Sequence, residues 1–297
     1  MATVPTVPDS SMPQLFQAAD AASLDGQRSY VGGIRRRLLF LIVAAISGIV
    51  TWRVGGGRLD VLGLVGMLAF VASILEESSL WRRRPDKAWY DGRAVAESAK
   101  TLAWKYAVGG LPFPVSMVAD EATRGLVAKL GELNNQFSDL ELEPVAAPQV
   151  SDWMMELRAK PLDERRKIYI EARLRAQQSW YAAKAKYNKR RSKQWRIALF
   201  VLEFSGAAAS LFTAVVQTTL MLGPALAMIA GAAIAWIETK QHDSLARAYS
   251  AACTDLSNAE AKLVIVGSED AWSREVDDAE EAISREHVVW LATRHRL

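Results

Sequence analysis

The chain has 297 residues, 51% of them hydrophobic, with a formal net charge of only +3. Its one cysteine, Cys253, excludes an intramolecular disulfide and a thiolate-ligated zinc centre, and His242, His287 and His295 lack metal-ligand spacing. Composition alone does not declare a membrane protein, but distribution does: apolar residues gather in two blocks flanked by basic clusters.

Residues 1–29 read as a disordered lead with a short helix, because Pro5, Pro8 and Pro13 sit among small and polar residues. No apolar run follows within the first thirty residues, so a signal peptide is not expected. The first apolar block begins after Arg35, Arg36 and Arg37 with Leu38 to Trp52. Arg53 and the run Gly55-Gly56-Gly57-Arg58 interrupt it. Leu59 to Leu75 follows, closing on Glu76-Glu77 and then Arg82-Arg83-Arg84. With their flanks, both stretches approach the roughly 20 residues that span hydrocarbon, which predicts a hairpin.

Asp86 to Ala107 predicts a helix, ended by Gly109-Gly110 and the Pro112/Pro114 pair, and Glu121 to Leu133 predicts a second. Glu143 to Gln149 reads as linker. Asp163 then caps a long helix running to Asn188 and into the next apolar block. On it Arg173, Gln177, Tyr181, Lys184 and Asn188 recur at spacings of three or four and share one face, read as intramolecular packing ahead of a ligand surface. The basic run Lys184 to Arg196 suits anionic headgroups, which accounts for the charge without nucleic acid.

From Ile197 to Ile237 only Glu203 is charged, enough for two spans turning at Gln217-Thr218-Thr219 or Gly223-Pro224. Glu203 lies about 10 Å beyond Arg196 along a helix. An ionisable group inside a span faces a bundle interior or a water path, so Glu203 is the candidate pore-lining residue; pairing near the headgroups with Arg196 is the alternative. Gly223, Ala227, Gly231 and Ala235 recur every four residues, a small-residue stripe suited to close helix packing in lipid. Asp243 to Leu263 continues as helix, and Ser268-Glu269-Asp270 starts a last one. On that last helix Val276, Ala279, Ile283 and Trp290 form a docking or self-association seam.

The basic clusters at 35–37, 82–84 and 189–196 all fall on one predicted side, and only Arg53 and Arg58 on the other. The positive-inside rule then puts both termini in the cytoplasm. The fold expected is an all-α membrane protein: two transmembrane helical hairpins (four spans) with long cytoplasmic helices, repeated architecturally in the two halves. The domains expected are 30–140 and 161–297, each a two-span unit, with a linker at 141–160.

The run Arg84-Pro85-Asp86-Lys87-Ala88-Trp89-Tyr90-Asp91-Gly92-Arg93-Ala94-Val95-Ala96-Glu97-Ser98-Ala99-Lys100, followed by Trp104, Tyr106 and Pro112-Phe113, resembles the SLATT family of two-span effector domains in bacterial conflict systems. Arg173, Gln177, Trp180-Tyr181, Lys184-Ala185 and Asn188 are similar to another branch of that family. The resemblance implies a tandem, inner-membrane, homo-oligomeric pore-forming or membrane-disrupting effector in anti-phage defence. A nucleotide second messenger or a separate sensor or nucleotide-synthase partner would gate it. The sequence has no His-Glu metal motif and no nucleophile elbow, so neither a cofactor nor an enzymatic reaction is expected. Trp89, Tyr90, Arg93, Glu97 and Lys100 would be candidates for signal coupling, although Arg93, Glu97 and Lys100 are also spaced for ion pairing along one helix face. A non-conducting scaffold that recruits partners is the alternative; a transporter would show more spans and more midplane polar groups.

Overall fold

The computed structural model describes the backbone of residues 7–294 and the side chains of 7–284. Its helices are α1 (Gln14–Ser47), α2 (Val61–Arg83), α3 (Pro85–Val108), α4 (Ala119–Gln136), α5 (Asp152–Arg158), α6 (Leu162–Tyr169), α7 (Ala176–Val216), α8 (Leu222–Lys240), α9 (His242–Ile265) and α10 (Glu269–Arg294). A π-helical turn, Ile170–Arg175, joins α6 to α7. Two short antiparallel strands, β1 (Arg53–Val54) and β2 (Leu59–Asp60), form the ribbon between α1 and α2. The chain divides into two compact units: a core unit (Met1–Gly26, Asp86–Lys186, Ala246–Leu297) and a hairpin unit (Gln27–Pro85, Tyr187–Leu245).

The core unit is a helical bundle organised on α3. Pro85 opens this helix, where its missing N–H costs nothing. Val95, Ala96, Ala99, Ala103, Trp104 and Ala107 are buried along one stripe, where the alanines let neighbouring helices approach. Closest is α1 at Gly92, where a Cβ would lie 2.9 Å from both the Ala19 carbonyl oxygen and the Ser23 nitrogen. The last carbonyls of α3, left without helical partners, are satisfied from far along the chain. Val108 accepts from Arg165 Nη1 (2.6 Å) and Trp272 Nε1 (2.7 Å), and Gly109 from Ser273 Oγ (2.6 Å). Arg158 donates to the carbonyls of Tyr106, Phe113 and Pro114 at 2.7–2.9 Å and pins the loop after α3. Burial lowers its guanidinium pKa, the cost of holding that loop.

Several expectations change here. Within 1–29 the helix starts at Gln14, and the segment expected as lead is packed from its far end: Met12, Leu15, Phe16 and Ala19 belong to the core, and the Gln14 N–H donates to the Pro148 carbonyl. Of the two roles expected for the seam, Val276, Ala279 and Ile283 take docking, buried in the chain's own core with Trp272, and the Trp290 side chain lies outside the described residues. Asp163 sits inside the first turn of α6 rather than at its cap, which is Pro161. Ser268 does cap α10, accepting from the Ala271 N–H at 3.3 Å.

In the hairpin unit, Gly66 packs on Ser47 and Gly33 on Leu80, joining α1 to α2. Arg36 binds Glu76 at 2.7 Å and Arg37 binds Glu77, so the exit glutamates offset two of the three arginines. The turn between α7 and α8 falls at Gln217 to Met221, with Gly223 and Pro224 already in α8. The Met221 N–H donates to the Ile49 carbonyl at 3.2 Å, tying that turn to the end of α1.

Three helical stretches are long and apolar enough to cross a membrane: Val61–Val108, Leu162–Val216 and Leu222–Ile265. The expected four spans are therefore not all distinct by length and composition. In α1 the helix ends at Ser47, so its apolar run beyond the arginine triplet is only Leu38 to Ser47.

Candidate functional site

A cleft of about 540 Å³ opens in the core unit, walled by α1, α3, the π-helical turn and the start of α7. That is room for a drug-sized ligand. On the α3 wall Arg93 pairs with Glu97 at 2.6 Å and lies 3.6 Å from Asp20. Lys100 reaches Asp9 at 3.2 Å, its ammonium 5.1 Å from the centre of the Phe16 ring. Burial pushes the Asp20 carboxyl up, and the Arg93 guanidinium only partly pulls it back.

Arg173, on the π-helical turn, lines the cleft and closes its depth. It is 3% exposed and makes a bidentate pair with the fully buried Glu280, at 2.9 and 2.7 Å. Tyr169 and Thr101 hydroxyls donate to the same carboxylate at 3.0 and 2.9 Å. Glu280 thus accepts from three elements, which is what a charge removed from water requires. Trp104 forms part of the lining, 1% exposed, with ring centres 5.0 Å from Trp153 and 5.8 Å from Tyr169. At the mouth Trp180 is 39% exposed, edge-on to Tyr181 and Tyr249, with the Lys184 ammonium over its ring.

Two stretches far apart in sequence therefore meet: Arg93, Glu97 and Lys100 from one, Arg173 and Gln177 from the other, all lining the cleft. The helix-face ion pairing is partly as spaced. Arg93 does pair with Glu97, but Lys100 turns to Asp9. Trp89 and Tyr90 stack on each other earlier on α3, 4.8 Å between centres, and the Trp89 carbonyl accepts from Ser23 Oγ. Tyr181 is buried against Tyr249. Asn188 falls in the hairpin unit, its Oδ1 2.7 Å from His242 Nδ1. Sequence reasoning missed Asp9, Phe16 and Asp20, which lay in the expected lead, and Glu280. The signal available was an acid amid apolar residues on a helical face, as at Asp20 within Phe16 to Leu24.

Family comparison assigns residues 13–166 to the SMODS and SLOG-associating 2TM effector domain 3 and residues 169–290 to effector domain 1 of the same series. The chain belongs to the SLATT family. No curated protein and no solved structure matches it. The SLATT assignment describes membrane-associated effector domains in tandem, in agreement with the three apolar helices.

In this SLATT tandem Glu203 is exposed on the apolar part of α7, between Phe200 and Phe204, each 69% exposed. On α8 the buried small residues are Gly223, Ala225, Ala230 and Ala232, so the packed face is not the four-residue stripe. Only Gly223 of that stripe is packed: a Cβ there would collide with Ser210 Oγ. Ala227 and Gly231 are exposed, and a Cβ on Gly231 meets nothing within 4 Å.

Proposed function

We propose that this SLATT tandem is a pore-forming or membrane-disrupting effector of a bacterial anti-phage conflict system, acting without catalysing a reaction. It sits in the inner membrane as a homo-oligomer, with four spans and both termini cytoplasmic. A nucleotide second messenger or a separate sensor or nucleotide-synthase partner gates it. Its two-span units are 30–140 and 161–297, joined by 141–160.

The observation that carries this reading is Glu203 on an uncovered apolar surface. None of the most apolar window of the α6–α7 stretch is buried, and Leu211 and Val215 are 67% and 74% exposed. Soluble monomers rarely leave such area uncovered. Lipid suits the apolar side chains, but a central charge in hydrocarbon costs about 3 kcal/mol or more. Association of several copies around Glu203 gives the carboxylate water and the phenylalanines cover. Aromatic residues stand where interfaces belong: Trp52 in the α1–α2 turn and Trp81 near the end of α2, with about 30 Å of helix from Val61 to Trp81.

Reconstitution in liposomes tests it. Ion flux is expected from the wild type, with altered cation conductance or selectivity in Glu203→Gln. Unchanged conductance and selectivity in that variant would remove the pore role from Glu203. No flux, with the membrane potential intact at high expression in cells, would leave the chain a scaffold.

A further inference from the structure

We propose that the basic end of the α7–α8 hairpin holds the phosphate of an anionic phospholipid, gripped by Lys240 and Arg191. This rests on α7 and α8 spanning the bilayer, and it adds a specific lipid to that reading.

Charge accounting points to an anion. The first hairpin answers two of its arginines internally, Arg36 with Glu76 and Arg37 with Glu77. The second does not. The Lys240 ammonium, half-buried at the last residue of α8, lies 5.1 Å from the centre of the Trp236 ring, with no carboxylate or hydrogen-bond partner among the described residues. On α7, Arg191 donates to Gln194 Oε1 at 3.2 Å and lies 5.8 Å from the centre of the Tyr187 ring, and neither contact carries a negative charge. The Arg191 charge acts on both Lys240 and His242, and the Lys240 charge acts on His242. His242 is itself held at this junction, its Nδ1 2.7 Å from Asn188 Oδ1. The acids of the same stretch leave these cations unanswered. Asp243 lies 3.8 Å from Arg196, and Glu238, two residues before Lys240, projects from the other side of α8. Like charges gathered in this way repel unless an anion sits between them.

Position selects a lipid as the source of that anion. Lys240 stands about 4.5 Å along the helix beyond Ile237, where the apolar run ends, and Arg191 about 9 Å before Ile197, where the other begins. Both cations therefore fall at headgroup depth, with Trp236 and Tyr187 where interfacial aromatic rings belong. Deeper along the same two helices, exposed Phe200, Phe204 and Ile234 offer apolar surface to acyl chains. A free phosphate would use the cations and none of that surface. A guanidinium and an ammonium flanking one phosphate, at the mouth between two spans, is a headgroup-binding arrangement.

The test uses the full chain in nanodiscs that mix phosphatidylcholine with phosphatidylglycerol. Native mass spectrometry of the released chain reads which lipid it retains, and phosphatidylglycerol is expected in preference. Lys240→Gln and Arg191→Gln, both keeping the wild-type circular dichroism, are expected to weaken that retention about tenfold. Lys240→Arg is expected to keep it. Lys193→Gln, which removes an exposed cation two residues along α7, is expected to leave it unchanged. Excess inorganic phosphate is expected not to displace the lipid. Retention of both lipids alike, an equal loss in Lys193→Gln, or displacement by phosphate would overturn the proposal. A chain that conducts but shows no lipid preference fails this inference only. One that retains phosphatidylglycerol but passes no ions fails the pore reading only, and one that does not enter the discs fails both.

Discussion

Glu280 shows how one residue can hold a bundle together. It is fully buried, accepts two hydrogen bonds from Arg173, and adds the hydroxyls of Tyr169 and Thr101. Removing one partner of such a pair strands a charge away from water, at about 3–5 kcal/mol, whereas apolar replacement of both partners is often near neutral. Arg173→Met or Glu280→Leu alone is therefore expected to destabilise the chain by about that much, and the double variant by clearly less, measured by denaturant unfolding in detergent. Additive single effects would mean the pair is not coupled. Asp20 gives a pH signature at the same cleft. Burial raises its carboxyl above the usual 3.8, so the folded chain binds the proton more tightly than the unfolded one. Stability from this group is then greatest below the unfolded pKa and falls as pH rises through the raised folded value. The stability difference between wild type and Asp20→Asn, followed by melting temperature from about pH 4 to 7, is expected to shift against the wild type as pH rises. A difference that does not change with pH would mean that Asp20 is not desolvated in the folded chain.

At the scale of elements, helices were legible where periodicity and punctuation agree. Asp86 to Ala107 was expected and Pro85–Val108 is found, because the alanine stripe and the Gly109-Gly110 stop speak of the same helix. Three features lacked a local signal. The stretch Asp152–Arg158 is a helix held by Arg158 reaching distant carbonyls. The break at Ile170–Arg175 leaves helical periodicity almost intact, so no residue announces it. Which small residues of α8 pack within the chain was not legible because they are common all round that helix, and only the contact with α7 chooses among them. That contact supports a discriminating pair of substitutions. Gly223→Leu is expected to disrupt the α7–α8 packing, since even a Cβ meets Ser210, and to lower the melting temperature in detergent. Gly231→Leu is expected to leave the single chain's stability unchanged, since that position is open. Loss of oligomers in Gly231→Leu, seen by crosslinking, would place the exposed small residues between copies.

At the scale of the whole molecule, the part of the candidate site taken from α3 and α7 was readable as helix faces, but its partners on α1 and α10 were not, because tertiary packing brings them there. That same packing constrains the topology. The core unit gathers chain from before, between and after the two apolar blocks: 1–26, 86–186 and 246–297. Phe16 and Ala19 share a core with Ala99 and Val276, so these segments lie on one side of any membrane. On the four-span reading proposed above, each block crosses twice. Length and composition mark only α2 in the first block, with α7 and α8 in the second; a second crossing in the first block would fall to α1. Its arginine triplet is neutralised in part by Glu76 and Glu77, which lessens the charge that counts against it. Cysteine accessibility separates the cases on a Cys253→Ser background. A membrane-impermeant maleimide applied to intact spheroplasts is expected to label Arg58→Cys, in the α1–α2 turn, and to label Ser257→Cys, exposed on α9, only after permeabilisation. Protection of Arg58→Cys alongside protection of Ser257→Cys would mean that the first block does not cross at all, leaving α7 and α8 as the one spanning hairpin.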